Sequence, residues 1–248
     1  MSKTLLVIPH YRDTARLAPF LGELCRTLPP HFSILISDDG SGEDELVRLR
    51  ALVSSMRGKA ASGGATILDP HLCPHNTGKG GAVMRGWAQG AGYSLLAFVD
   101  ADGAVSAKEI LRAERHMRSE SGRSDALFGS RVKMLGRSIT RTPLRHVIGR
   151  VFATLVSTVA GLNAYDTQCG VKILSQEAFR KIQMHMKSVG FAFDVELCLL
   201  LLKNHCSIQE FPIDWTDIDG SKVRLLRDSV SMAIEVFKIR RRVSSIHQ

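Results

Sequence analysis

Residues Leu95–Ala104 read LLAFVDADGA, and the order of residues in this stretch decides how the rest of the chain is read. Leu95, Leu96, Ala97, Phe98 and Val99 form a short apolar run that suits a buried strand better than a helix. Asp100 and Asp102 then fall at the strand's carboxyl end, where an open α/β sheet gathers its ligand. Residues two apart on extended chain share a side, and two carboxylates on one side repel unless a positive charge lies between them. A hard divalent cation bridging to a diphosphate meets that need, because such cations take oxygen ligands. Gly103 permits a sharp turn or a close approach. The plainer alternative is a strand that ends in an acidic turn.

Just upstream, His75–Gly92 reads HNTGKGGAVMRGWAQGAG. Asn76, Gly78, Lys79, Gly80 and Gly81 form a flexible basic loop that opens a helix, and the N–H groups and positive dipole end there suit an anion. The string is not a P-loop, which requires Ser or Thr directly after the lysine. The glycines have a second reading, as sites where the helix packs closely.

Further out, strands are expected at Thr4–Ile8, Phe32–Ser37, Ala65–Leu68 and Asp125–Phe128, with helices at Arg16–Leu28, Asp44–Met56 and Ala107–Ser119 between them. This alternation argues for an α/β fold with a mostly parallel sheet flanked by helices. No G-x-G-x-x-G follows the first strand, which speaks against a dinucleotide site. The second half is basic from Lys133 through Arg137, Arg141, Arg145 and Arg150, and Thr142-Pro143 starts a helix expected to reach about Ala160. A strand at Val171–Leu174 and a helix at Gln176–His185 follow. The segment Phe191–Glu196 opens a helix through Leu202, and at least one of its acids, Asp194 or Glu196, is expected to face a site or cap the helix. After a strand at Ile208–Ile213 and a loop from Trp215 to Lys222, the helix Asp228–Arg242 places Val230, Ile234, Phe237 and Ile239 on one side and ends in Lys238-Ile239-Arg240-Arg241-Arg242. That end suits an anionic lipid surface or solvent.

The composition narrows the function classes. The 248 residues carry 33 Lys+Arg against 24 Asp+Glu, a formal net charge of +9, which favours nucleic acid, an anionic membrane or phosphorylated substrates. Aromatic content of 6% provides few stacking platforms for single-stranded nucleic acid, and no nucleic-acid partner is expected. The five cysteines contain no C-x-x-C pair and read as reduced thiols of a cytoplasmic protein. The N-terminal apolar run is too short for a signal peptide, and no apolar run is long enough for a transmembrane helix.

Several strings now resemble one family. VIPHYRD (residues 7–13) resembles the opening V-I-P-A-Y-N-E of family 2 glycosyltransferases, ISDDGSGED (36–44) their V-D-D-G-S-x-D, NTGKGGAVMRG (76–86) their N-x-G-K-G-x-A-V-x-x-G, and VDADG (99–103) their D-x-D turn. YDTQCGVKIL, GFAFDVELCLLL and DWTDIDGSKV are most similar to the dolichyl-phosphate β-glucosyltransferases and bacterial polyprenyl-phosphate enzymes within that family. The matches run from Val7 to about Arg240. Arg12-Asp13 departs from the usual Asn-Glu.

The resemblance implies a GT-A fold, with residues 1–226 as one catalytic domain (1–131 the nucleotide-sugar half, 132–226 the acceptor half) and 227–248 as a basic amphipathic helix. It implies a nucleotide-sugar donor bound by Pro9, Tyr11, Asp13, Asp38, Asp39, Lys79 and Asp100, with Mg²⁺ or Mn²⁺ held by Asp100 and Asp102. It places Arg131 near the phosphates. The donor is expected to be a UDP-sugar, with UDP-glucose favoured and GDP-mannose an alternative. The acceptor is expected to be a polyprenyl or dolichyl phosphate, met by a peripheral protein on the inner face of an anionic membrane. Cations such as Arg131 and Lys222 bring two anionic reactants together, and Asp194 or Glu196 orients sugar hydroxyls or braces the loop. With Asp102, these four complete the candidate catalytic set. The alternatives are a glycan or alcohol acceptor, for which Asp194 or Glu196 acts as base, and a non-catalytic basic membrane-binding module.

Overall fold

Strand β1, Thr4–His10, sets the layering. Its residues alternate between two cores: Leu6 and Ile8 face one, Leu5 and Val7 the other, as the two-residue period of a strand dictates. In the computed structural model, which describes residues 2–59, 63–132, 134–140, 158, 161, 165–218 and 225–246 (backbone alone at 59, 140 and 225–233), the same alternation recurs in β5, Leu95–Val99. Leu95, Ala97 and Val99 join the first core, and Leu96 and Phe98 the second. A sheet buried on both faces requires apolar residues on both faces, which explains why these strands read as continuous apolar runs.

The remaining strands are β2 (Phe32–Asp38), β3 (Thr66–Ile67), β4 (His71–Leu72), β6 (Ala126–Ser130), β7 (Ile139–Thr140), β8 (Val171–Ser175), β9 (Ile208–Pro212) and β10 (Trp215–Thr216). The main sheet runs β3-β2-β1-β5-β8-β6-β9, with β4 also paired to β2. Every pairing in it is parallel except those of β8, which runs antiparallel between β5 and β6. Strands β7 and β10 form a separate parallel pair. Helices α1 (Thr14–Thr27), α2 (Glu43–Lys59) and α4 (Ala107–Arg118) cover the first face. Helices α3 (Lys79–Ala88), α5 (Gln176–Ile182), α6 (Phe193–Lys203) and α7 (Leu225–Ser244) cover the second. The expected α/β architecture, a mostly parallel sheet flanked by helices, is present.

The chain leaves β1 toward β2 on one side and later returns to β5 on the other. Strand order therefore reverses at β1, and the carboxyl ends of β1 and β5 border a natural crevice. Local capping fixes where the helices start. Ser106 accepts a hydrogen bond from the Glu109 N–H to begin α4, and Ser175 accepts one from Ala178 to begin α5.

Two sequence expectations change here. The apolar stripe assigned to the last helix is divided: Ile239 is buried with Val236 and Val243, whereas Ile234 and Phe237 are 54% and 60% exposed. The buried set follows 3–4-residue spacing against the face that α6 presents, so packing chose the other of two apolar rows. The short strands β4, β7 and β10 had no periodic signal to reveal them. Lys133, Arg141, Arg145, Arg150, most of the expected helix from Pro143, and Lys222 lie outside the described residues.

Candidate active site

A cavity of about 360 Å³ opens at that crevice. Pro9, His10 and Tyr11 from the end of β1 form one wall, with Asp39 after β2 beside them. Asn76, Gly78 and Lys79, at the entry to α3, form another. Asp100 comes from the end of β5, and Gly190 and Phe191 close the remaining side. The two stretches singled out in the sequence thus meet in one place.

Asp100 is wedged by its surroundings. Its N–H donates to the Gly170 carbonyl at 3.0 Å, and its carboxylate lies against Gly170 so closely that any Cβ at 170 would collide with it. Lys79 Nζ sits 2.6 Å from Asp100 Oδ1. Asp102 accepts a hydrogen bond from the Ala104 N–H at 3.0 Å and faces Arg16 at 3.8 Å. Arg16 also lies 3.9 Å from Asp13, so it links the expected donor residue Asp13 to the acidic turn. Burial, together with the charge of Asp100, lifts the Asp102 carboxyl above its ordinary value. These two acids fit a divalent cation on their chemistry, since both are oxygen donors on one turn with positive side chains already drawn to them. Among the described residues no group of three or more His, Cys, Asp or Glu side chains could hold a metal ion.

The acidic pair after β2 divides between two roles. Asp38 is fully buried. It accepts from the Gly40 and Ser41 N–H groups at 3.1 and 3.0 Å and from the Ser41 hydroxyl, and it takes the Nδ1–H of His10 at 2.8 Å. Burial alone would raise its carboxyl, but the bonds from His10 and Ser41 hold it below the usual range. Asp38 is thus a brace turned inward and does not line the cavity, unlike the donor contact expected for it. His10 Nε2 in turn accepts from the Asp13 N–H at 3.4 Å and contacts the Thr14 hydroxyl at 3.2 Å, so a buried imidazole helps to cap α1.

Asp39 borders the cavity, yet its carboxylate is engaged by Thr77 and Gly78 N–H groups at 3.0 and 2.6 Å, the Thr77 hydroxyl at 3.0 Å and Arg85 at 2.6 Å. It clamps the glycine loop to the β2 turn. Gly78 adopts φ +107°, and a Cβ there would meet the Val189 carbonyl at 2.6 Å, so only glycine suits the position. That same carbonyl takes the Gly81 N–H at 3.0 Å. Two N–H groups expected to cradle an anion, those of Gly78 and Gly81, are therefore used within the protein. Arg12 lies at φ +50°, a region that Asn tolerates better than Arg. Bonds from its N–H to the Ser41 hydroxyl and from Nε to the Ser41 carbonyl hold it there, and its guanidinium lies 5.0 Å from the Tyr11 ring centroid.

Arg131, Asp194 and Glu196 each have a partner that the sequence did not reveal. Arg131 grips Asp166 through Nε at 2.6 Å and Nη2 at 2.8 Å, a bidentate pair that commits its charge within the protein. Glu196 is fully buried, accepts from the Lys187 and Ser188 N–H groups at 2.9 and 2.6 Å, and pairs with Arg242. It braces the loop beside the cavity and anchors α7, so Arg242 points inward and not toward a lipid surface. Asp194 faces Lys172 at 2.6 Å, and both side chains are buried. Lys172 was missed; its one signal was a charged residue inside the apolar strand VKIL. Arg85 and Asp166 were missed because their charged partners lie far away in sequence, and Arg16 because its link to Asp102 does.

The Arg131–Asp166 pair has a measurable consequence. Burial would raise the Asp166 carboxyl, but the guanidinium holds it below the ordinary value. A depressed carboxyl stabilises the fold above its unfolded value of about 3.9 and loses that contribution as pH falls through the folded value. Asp166→Asn should therefore melt below the wild type by a steady margin from pH 8 to 5, and the margin should close below about pH 4. A margin unchanged at pH 3 would count against the pairing.

Comparison with known proteins identifies the family. The model of the family described as glycosyl transferase family 2 matches residues 5–183. The chain is 33% identical over 247 residues to a dolichyl-phosphate beta-glucosyltransferase of Dictyostelium discoideum, covering 95% of this chain and 73% of that protein. It is 31% identical over 250 residues to a dolichyl-phosphate beta-glucosyltransferase of Saccharomyces cerevisiae, with the same coverage. In fold it is similar to glucosyl-3-phosphoglycerate synthase from Mycobacterium tuberculosis in complex with Mn²⁺, UDP and phosphoglyceric acid, with a TM-score of 0.68 at 12% identity, covering all of this chain and 80% of that one. It is also similar to S. aureus TarS 1-349 in complex with UDP-GlcNAc, with a TM-score of 0.62 at 16% identity, covering 96% of this chain and 66% of that one. Sheet order, the acidic turn at the crevice and the family match over most of the chain lead to one conclusion: this protein belongs to glycosyl transferase family 2 and is a glycosyltransferase.

Proposed function

We propose that the protein transfers glucose from UDP-glucose to a polyprenyl or dolichyl phosphate, with inversion and with Mg²⁺ or Mn²⁺. The observation that carries this reading is the pairing of Lys79 with Asp100 in the cavity, with Asp102 two residues beyond on the same turn, in a chain whose relatives, matched over 95% of its length and 73% of theirs, are dolichyl-phosphate beta-glucosyltransferases. Asp100 and Asp102 would hold the metal, which when bound neutralises the diphosphate leaving group. Tyr11 and Pro9 border the space for the nucleoside, and Asp39 acts by holding the glycine loop in place. Lys79 offers the diphosphate a cation from the second wall. Arg131 supports the turn after β6 through Asp166.

The acceptor follows from proton accounting. An alcohol needs a base to remove its proton. The two candidate bases, Asp194 and Glu196, are buried and engaged by Lys172 and Arg242. A phosphate monoester is largely dianionic at pH 7 and can attack without one, which supports the phosphate acceptor over the alcohol. Approach to a membrane is supported by α7, where Ile234 and Phe237 are exposed beside Lys238 and Arg241. Each such cation adds about 1 kcal/mol near an anionic surface. Among the described residues no helix is long and apolar enough to cross a membrane.

The test is an assay with anionic vesicles carrying undecaprenyl or dolichyl phosphate, Mn²⁺ or Mg²⁺, and a panel of UDP- and GDP-sugars. Lipid-linked glucose should form from UDP-glucose, and the protein should sediment with the vesicles in a salt-sensitive manner that Phe237→Ser weakens. Absence of lipid-linked product with every donor would overturn the proposal. Sedimentation unaffected by salt or by Phe237→Ser would remove α7 from it.

A further inference from the structure

Beneath the cavity the charges are arranged around a ring. Lys79 Nζ lies 5.1 Å from the Phe98 ring centroid, and Lys172 Nζ lies 5.2 Å from the same centroid. Lys172 is fully buried, pairs with Asp194 at 2.6 Å and donates to the Cys169 carbonyl at 2.7 Å. Lys79 pairs with Asp100 at 2.6 Å and also feels the charges of Asp194 and Asp102. The two lysines differ in freedom. Lys172 is enclosed by protein on all sides, with Phe128 also 5.1 Å from its Nζ. Lys79 borders the open cavity, its side chain 16% exposed and that of Asp100 35% exposed.

An ammonium held against Asp100 occupies the position from which that acid would serve a cation. A metal drawn to the same carboxylate would lie close to this ammonium, and bringing a divalent cation close to a fixed ammonium is unfavourable. We infer that Lys79 is an internal stand-in for the divalent cation, holding Asp100 until a metal and a nucleotide diphosphate arrive together. The diphosphate then supplies the negative charge that Lys79 gives up. Asp194, tethered by Lys172, remains behind the ammonium and preserves a favourable field for it through the exchange. Metal alone must displace Lys79 with nothing offered in return, whereas metal with diphosphate exchanges one ion pair for another. The inference rests on the proposed metal role of Asp100 and deepens it: metal and nucleotide binding are coupled through one side chain, and the coupling is reciprocal.

The test measures Mn²⁺ binding by the paramagnetic resonance of the free ion, with and without UDP, in the wild type, Lys79→Met and Lys79→Arg, after circular dichroism has established that each is folded. The wild type and Lys79→Arg should bind Mn²⁺ weakly alone and on the order of tenfold more tightly with UDP, within the usual range for coupled sites. Lys79→Met should bind Mn²⁺ alone on the order of tenfold more tightly than the wild type, and UDP should add much less. Wild-type binding enhanced by UDP, with Lys79→Met no tighter for Mn²⁺ alone, overturns this inference and leaves the metal site standing. No Mn²⁺ binding by any of the folded proteins, with UDP present, overturns both. If Lys79→Met does not fold, Lys79→Gln replaces it under the same two criteria.

Discussion

Asp102→Asn is expected to lower sugar transfer by at least about a hundredfold, the usual scale for removing a group that stabilises developing charge, without weakening the fold. Asparagine keeps an oxygen to accept the Ala104 N–H, which Asp102 accepts at 3.0 Å. It also removes one of two like charges placed a residue apart, whose mutual repulsion together with burial lifts the Asp102 carboxyl. The loss falls on Arg16, 3.8 Å away, a separation at which a partly exposed pair contributes about 1 kcal/mol or less, and on the attraction to Lys79. Melting temperature in metal-free buffer should thus stay level or rise slightly. The added stability that Mn²⁺ with UDP confers on the wild type should be reduced in the variant, because a weaker ligand stabilises less by mass action. A variant that melts several degrees lower in metal-free buffer, or that keeps full transfer, would show Asp102 to be a structural turn residue.

Lys172→Met should be the most destabilising single change near the site, by about 3–5 kcal/mol, because it strands the Asp194 carboxylate in the interior. Lys172 and Asp194 are 0% and 2% exposed, respectively. Burial already lifts the Asp194 carboxyl, and the ammonium of Lys172 opposes that shift. The cost belongs to the unpaired charge and not to the lost contact alone, so replacing both partners with apolar residues should recover most of it. Chemical denaturation of Lys172→Met, Asp194→Leu and the double variant would measure this as a double-mutant cycle. The double variant also separates structure from chemistry. It should fold and transfer sugar at a reduced but measurable rate, since a phosphate acceptor requires no base. A folded double variant with no transfer at all would return Asp194 to the reaction.

Much of the scaffold was readable because its signals are local. The run at Leu95–Val99 was expected as a strand over the same residues that form β5. The helix expected at Ala107–Ser119 forms at Ala107–Arg118, stopped by the cap at Ser119. Periodicity, capping residues and breakers act within a few positions, so a sequence displays them directly. The C-terminal helix shows where this reasoning ends. Its two apolar rows, Ile234 with Phe237 and Val236 with Ile239 and Val243, both have helical spacing, and only contact with α6 selects the second for burial.

The same division runs through the site. The chain's own pattern was sufficient to place Asp100, Asp102 and Lys79 at the carboxyl edge of a mostly parallel sheet, because a strand's end, an acidic turn and a helix-opening glycine loop are local features. It could not assign partners to the charges. Arg131 meets Asp166 across 35 positions, Glu196 meets Arg242 across 46, and Asp39 meets Arg85 across 46. Those pairings depend on strand order and on the reversed strand β8 between β5 and β6, which brings Lys172 beneath the cavity. A buried charge must find a counter-charge wherever the packed chain provides one, and that location is a property of three-dimensional neighbours. The acidic turn at Leu95–Ala104 was thus legible as a candidate site, while the ion pair between Lys79 and Asp100 and the buried Lys172–Asp194 pair beneath it became visible only in the folded protein.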